Sequence, residues 1–142
     1  MVAEFDHDGI QFRYPENWRL EREDNEEGWT VSLQSPDTAF LIICYRDDQP
    51  DPSEVAATAL AALKEEYEEL EADDCVDSVA GQPAIGHDIR FFSFDLTNTC
   101  WTRSFLSSHG TVLVMCQVND LELEKNEPIL KAICKSLALT DE

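Results

Sequence analysis

Ala39-Phe40-Leu41-Ile42-Ile43-Cys44-Tyr45, an uninterrupted apolar run, constrains this chain more than any other feature. It is far shorter than the ~20 residues a helix needs to cross a bilayer. Turn residues bound it, Ser35-Pro36-Asp37 before and Asp47-Asp48 after. A short run apolar on both faces is expected of an inner strand covered on both sides. The chain must therefore build a sheet and place material over each face of it.

The flanking segments supply that material. Glu4 to His7 and Ile10 to Tyr14 surround Asp8-Gly9, a dipeptide suited to the positive φ angles of a type I′ hairpin turn, which sets Phe5 opposite Phe12. Pro15-Glu16-Asn17 breaks the second strand and Trp18 closes that end of the core. The acidic stretch Glu21 to Glu27 reads as a loop ended by Gly28. Trp29, Val31 and Leu33 then alternate with Thr30, Ser32 and Gln34 at the period of a half-buried strand. Asp51 as cap, Pro52 at the first position and Glu54 start a helix over about 52 to 70, whose apolar stripe is Ala56, Ala59, Leu60, Leu63, Tyr67 and Leu70.

Cys75 to Ala80 predicts a short strand, Gly81-Gln82-Pro83 a turn, and Ile85 to Leu96 a long strand bent near Phe91-Phe92. Leu96 to Thr99 leads into Cys100 to Leu106, and Ser108 to Thr111 into Val112 to Val118, an antiparallel meander. A second helix runs from within Asp120 to Asn126 through about Leu137, burying Ile129, Leu130, Ile133, Cys134 and Leu137, with Pro128 in its first turn. The order β-β-β-β-α-β-β-β-β-α is α+β: an antiparallel sheet of about six to seven strands with helices, in one domain over 1–142.

Thirty acidic residues against ten Lys and Arg give a formal charge of −20. That balance works against a nucleic-acid backbone as partner. The 43% hydrophobic content is enough for a core, which disfavours wholesale disorder. Met1 to Asp6 has neither the basic start nor the apolar stretch of an export signal, so a cytoplasmic address is expected and a membrane partner is not. The five cysteines show no CxxC spacing and their odd number fits reduced thiols.

Motifs for chemistry are lacking. Asp6-His7-Asp8-Gly9 does not continue as a calcium loop, and His7, His87 and His109 form no zinc-binding spacing. His87 and Asp88 are neighbours on one strand and point to opposite faces, so they do not form a catalytic pair. Ser107-Ser108-His109 is accounted for by hairpin composition. No nucleophile elbow and no glycine-rich phosphate loop is present. The sequence gives no catalytic, cofactor or metal assignment, and the expectation is a protein that is not an enzyme and carries no cofactor.

Phe12-Arg13-Tyr14-Pro15-Glu16-Asn17-Trp18 resembles the F-x-Y-P-x-x-W opening of PsbP-like domains, a group that includes an extrinsic photosystem II protein and a Ran-binding nuclear-import factor. The likeness extends through the early hairpin, the mid-chain acidic helix, the meander and the closing Ile133-Cys134-Lys135-Ser136-Leu137. It implies an α/β/α sandwich around an antiparallel sheet, and a binding or assembly role rather than catalysis.

Charge then selects among binding roles. At roughly one net negative charge per 370 Å² of surface, a field of this strength steers a basic partner. The expected contact is a helix face bearing Glu65, Glu68, Glu69 and Asp73, aided by the Glu21 to Glu27 segment, docking a basic protein. The alternative from another class is a small-ligand carrier or enzyme, with a pocket between sheet and helix lined by Trp29, Trp101, Arg103 and Tyr45. A secretion-chaperone-like protein is a further alternative, set against it being the hairpin, rather than helical, start.

Overall fold

The computed structural model describes residues 1–140. The expected domain, 1–142, thus has its last two residues outside the described ones. Among these residues the chain forms β1 (Val2–His7), β2 (Ile10–Pro15), β3 (Arg19–Asn25), β4 (Gly28–Gln34), β5 (Phe40–Arg46), α1 (Pro52–Glu66), β6 (Leu70–Val79), β7 (Gln82–Ser93), β8 (Leu96–Leu106), β9 (Thr111–Asn119), α2 (Leu123–Lys135) and β10 (Ala138–Leu139). Seven strands make one antiparallel sheet in the order β3-β4-β5-β9-β8-β7-β6, and β1, β2 and β10 make a second, three-stranded one. No helix among the described residues is long and apolar enough to cross a membrane.

Register sorts the large sheet into two faces. One row runs Leu20, Leu33, Leu41, Cys116, Trp101, Asp88, Asp73 from edge to edge, and the next runs Arg22, Val31, Ile43, Val114, Arg103, Gly86, Cys75. Over the β4, β5 and β9 part of this face sit the small sheet and α2, and Phe5, Ile10, Phe12, Leu130 and Ile133 join Val31, Leu33, Leu41 and Ile43 in the main core. On the opposite face α1 packs over β7, β8 and β9. There Leu63, Ile89, Phe91 and Cys100 form a second cluster, flanked by Leu60 and Met115, and Tyr67 stacks on Phe91 at 3.9 Å. The result is the expected helix-sheet-helix sandwich.

Local expectations met with mixed outcomes. Asp8 (φ 51°) and Gly9 (φ 78°) form the two-residue turn, and Phe5 faces Phe12 with ring centroids 4.9 Å apart. Asp51 caps α1, accepting from the Ser53 N–H at 2.8 Å, with Pro52 following. The segment Glu21 to Glu27 is no loop: most of it is β3, an edge strand paired with β4. Only Leu20 is half-buried in it, so charges occupy both faces and hide the alternation that marks a strand. β5 is central, yet covered fully on one face; Phe40, Ile42 and Cys44 are half-buried because α1 sits over β7 to β9 instead. Helix α1 stops at Glu66, and β6 begins at Leu70 rather than at Cys75. Leu70 continued the helical stripe only by coincidence of spacing.

The long hairpin turns at Phe94-Asp95 instead of at Leu96 to Thr99. Both residues have positive φ, 52° and 60°, and Phe94 is 95% exposed. An aromatic residue in the left-handed region with nothing to pack against is strained.

Pro128 lies in the second turn of α2, because that helix starts earlier than proline placement suggests. Glu122 fixes the start. Its carboxylate accepts from the Thr38 N–H (3.1 Å), the Thr38 hydroxyl, the Ala39 N–H (3.0 Å) and the Asn126 amide (3.1 Å), and Lys125 reaches Asp37 at 2.9 Å. This latch bolts the β4–β5 turn to the first turn of α2. Burial works to raise the Glu122 carboxyl, but the donors from Thr38, Ala39 and Asn126 together hold it below its ordinary value.

Two outcomes are expected from these features. Phe94→Asn, which tolerates positive φ, stabilises the protein by about 1 kcal/mol in chemical denaturation, since no buried surface is lost. Glu122→Gln destabilises by about 1–2 kcal/mol at neutral pH. Because the folded pKa of Glu122 is depressed, its contribution is complete above the unfolded value of ~4.3 and fades as pH falls through the folded value. Denaturation curves of wild type and Glu122→Gln should therefore converge in acid; a gap that persists there contradicts the latch.

Candidate functional site

The residues expected to share one helix face do not. Glu65 is in the last turn of α1, Glu68 and Glu69 lie in the connection after it, and Asp73 is on β6. The helix ends where Tyr67 takes an extended conformation (φ −121°, ψ 116°) and stacks on Phe91. From there the side-chain period becomes two. Leu70 and Ala72 pack toward α1, while Glu71 and Asp73 fall on the other face.

What the chain builds instead is an acidic ridge. It passes from Glu65 and Glu66 around the end of α1 through Glu68 and Glu69, and out along β6 with Glu71, Asp73, Asp74 and Asp77. No Lys or Arg occurs between Glu65 and Ile89. Among the described residues none of Glu65, Glu66, Glu68, Glu69, Glu71 and Asp73 makes an ion pair, whereas Asp74 contacts His87 at 3.3 Å and Asp77 contacts Arg103 at 3.4 Å. Among the described residues β6 is the last strand of the seven and pairs only with β7, over all ten of its residues. Its outer backbone edge is open.

Beside the ridge lies a groove. The cover of α2 and the small sheet stops short of β6 to β8, which leaves a trough of about 640 Å³ between the sheet and α2. Trp101 and Arg103 lie on its floor, with Arg90 and Asp88, and Lys131, Cys134 and Lys135 form the α2 wall. Four of the ten cationic side chains of the protein thus border it, which makes it a mixed-charge surface on an otherwise anionic molecule. Arg103 is the organising group: its guanidinium donates to Asp88 at 2.9 Å, to Asp77 at 3.4 Å and to the Thr102 carbonyl at 2.8 Å. Gly86 stands opposite Arg103, and a Cβ there would meet the Thr102 carbonyl oxygen at 1.8 Å, so only glycine lets the strands approach this closely.

Of the four residues expected to line such a pocket, Trp101 and Arg103 do. Trp29 and Tyr45 do not: they stack on each other 5.4 Å apart in the core, and the Trp29 indole donates to Asp8 at 2.8 Å. The β1–β2 hairpin covers their end of the sheet.

Sequence spacing also missed a thiol pair. Cys116 on β9 and Cys134 on α2 are 18 positions apart, and their sulfurs are 3.6 Å apart. Cys134 is half-buried on the groove wall; Cys116 is fully buried. The hydrogen-bond contact with Cys116, with further help from Trp101 and the Arg103 charge, lowers the Cys134 thiol against its burial. Burial first, then its neighbours, pushes Cys116 up. Burial alone pushes Cys100 up to about 12.

The remaining chemical candidates stay apart. His87 turns to Asp74 and Asp88 to Arg103, on opposite faces as expected. Among the described residues no three His, Cys, Asp or Glu side chains are placed to hold a metal ion.

Comparison with known proteins bears on the architecture. No protein-family model and no curated protein sequence matches the chain. Solved structures do. The solution structure of cyanobacterial PsbP (CyanoP) from Synechocystis sp. PCC 6803 superposes with a TM-score of 0.67 at 10% identity, covering 98% of this chain and 92% of that one. A mutant of the protein Mog1 gives 0.61 at 12% identity, over 99% and 97%. LpqN of Mycobacterium tuberculosis, involved in cell envelope biogenesis, gives 0.57 at 16% identity, over 99% and 91%. At these identities the likeness carries the fold and nothing finer, and it shows that this chain, from its first hairpin to its closing helix, has the PsbP-like fold.

Proposed function

We propose that the protein is a non-enzymatic binding module that takes a basic, extended segment of a partner protein along the β6 edge. The observation that supports this most is the coincidence of two features on one element. β6 presents an open outer backbone edge along its ten residues, and it carries the middle of an acidic ridge in which Glu71 and Asp73, among the described residues, make no ion pair, while Asp74 and Asp77 contact His87 and Arg103. An open edge offers outward N–H and C=O groups to an incoming strand. Acidic side chains on both faces of that edge repel a second copy of β6 and attract a Lys- or Arg-rich strand. Backbone pairing would supply affinity and charge would supply selection and encounter rate.

The architecture of the relatives agrees with this reading at the level of class. The mixed-charge groove supports a second reading, a small-ligand carrier, on the strength of Trp101 and Arg103 meeting there. The groove is bordered by Glu71, Asp73 and Asp77 of the same strand, so an occupant of the edge would lie along its rim.

A synthetic strand of alternating Lys and Val, about ten residues long, tests the proposal. Its affinity should fall at least tenfold between about 50 mM and about 500 mM salt, as the screening length shortens several-fold. Combined Glu65→Lys, Glu68→Lys, Glu69→Lys and Asp73→Lys should abolish binding with the thermal midpoint little changed, since all four side chains are exposed. Glu21→Lys, Glu23→Lys and Glu26→Lys at the opposite edge should leave it within about twofold. Equal losses from both sets would reduce the interaction to overall charge and overturn the assignment to β6.

A further inference from the structure

We propose that Cys134 and Cys116 are a peroxide-reactive dithiol, with Cys134 as the attacking sulfur and Cys116 as the resolving one, closing to a disulfide that ties α2 to β9. Three observations converge on the pair. The sulfurs are 3.6 Å apart across two different elements, and closure to a bond of about 2.05 Å requires a movement of about 1.5 Å. Access is unequal: Cys134 borders the groove and Cys116 is sealed in the core. The groove also places Trp101 and the Arg103 guanidinium around it together with Cys134, and the contact with Cys116 first, then these neighbours, lowers the Cys134 thiol. Arg103 is itself shared with Asp77 and Asp88, so its effect at Cys134 is a partial one.

The remaining cysteines lack this combination. Cys100 is buried and its thiol is raised, Cys44 is raised by burial, and Cys75 is half-buried on β6 with no second sulfur in contact. Low thiol pKa, exposure and an adjacent resolving thiol are the properties that make a cysteine a selective oxidation site.

The oxidant is a hydroperoxide, with hydrogen peroxide as the simplest member. The Cys134 thiolate attacks one peroxide oxygen, the O–O bond breaks, and with one proton the products are Cys134 sulfenic acid and water. The Cys116 sulfur then attacks the Cys134 sulfur, the S–O bond breaks, and the hydroxyl leaves as a second water with the Cys116 proton. Two thiols are oxidised by two electrons and one peroxide is reduced. A thiol reductant reverses the bond by exchange. Closure draws Cys134 toward Cys116 and changes the wall of the groove, which makes the groove the part of the molecule that reports the redox state. The inference is independent of the β6 reading, because neither sulfur touches that edge.

The test uses the reduced full chain, an equimolar dose of hydrogen peroxide, a denatured thiol count and peptide mapping. The count should fall by two from five, with Cys116 linked to Cys134, and dithiothreitol should restore it. Cys134→Ser should slow thiol loss at least tenfold, and in Cys116→Ser the Cys134 sulfenic acid should persist long enough to be trapped by dimedone. Alkylation of the reduced wild type needs no variant: Cys134 should label ahead of Cys44 and Cys75. A disulfide between other cysteines, undiminished thiol loss in Cys134→Ser, or Cys134 labelling no faster than Cys44 would overturn the proposal.

Discussion

The rest of the structure depends on the pairing of β5 with β9. Phe40 to Arg46 lies antiparallel to Thr111 to Gln117, and this ladder joins the β3-β4-β5 meander to the β6-β7-β8-β9 meander, which are otherwise separate local units. Contacts so distant in sequence carry the entropy of closing a long loop and must be favoured by burial. They are: Leu41, Ile43, Val112, Val114 and Cys116 are all at most 1% exposed. The same ladder places the floor on which α2 and the first hairpin sit. It also brings the Thr38–Ala39 turn to Glu122, so the polar latch and the apolar core reinforce one junction.

Much of this was legible in the sequence wherever one face of an element is dry. The Trp29-Val31-Leu33 alternation, the Asp8-Gly9 turn, the Asp51-Pro52 start of α1 and the apolar β5 run each have a local signature, and each element is present. The failures share one physical cause. β3 is an edge strand wet on both sides and has no alternating pattern, so it looked like a loop, while β6 is an edge strand with only Leu70 and Ala72 half-buried in its first half, so its start looked like the end of a helix. The expected helix face of Glu65, Glu68, Glu69 and Asp73 dissolved for the same reason. Phe94-Asp95 has none of the glycine or asparagine that marks a positive-φ turn, which hid the hairpin tip.

At the sites, residue type was legible but convergence was not. Trp101 and Arg103 were identifiable as unusual polar and aromatic groups on a strand, and they do meet between sheet and helix. That Trp29 and Tyr45 belong elsewhere follows from the small sheet, whose third strand β10 is two residues long and has no signature of its own. The Cys116–Cys134 contact depends on how α2 lies across β9, a tertiary fact that no spacing rule contains. The outcome is a molecule with its chemistry and its charge divided: a mixed-charge groove with a thiol pair on one side of β6, and an acidic open edge on the other.

The central claim is that β6 is a receiving edge, and amide hydrogen exchange tests it most directly. In the free protein the outward N–H groups of residues 70–79 should exchange quickly, and those bonded to β7 slowly. With a saturating Lys-rich strand at low salt, the account predicts slowed exchange at alternate residues of β6 and no change along β3. Protection confined to α1 or to the groove, or none on β6 while the peptide is bound, would contradict it.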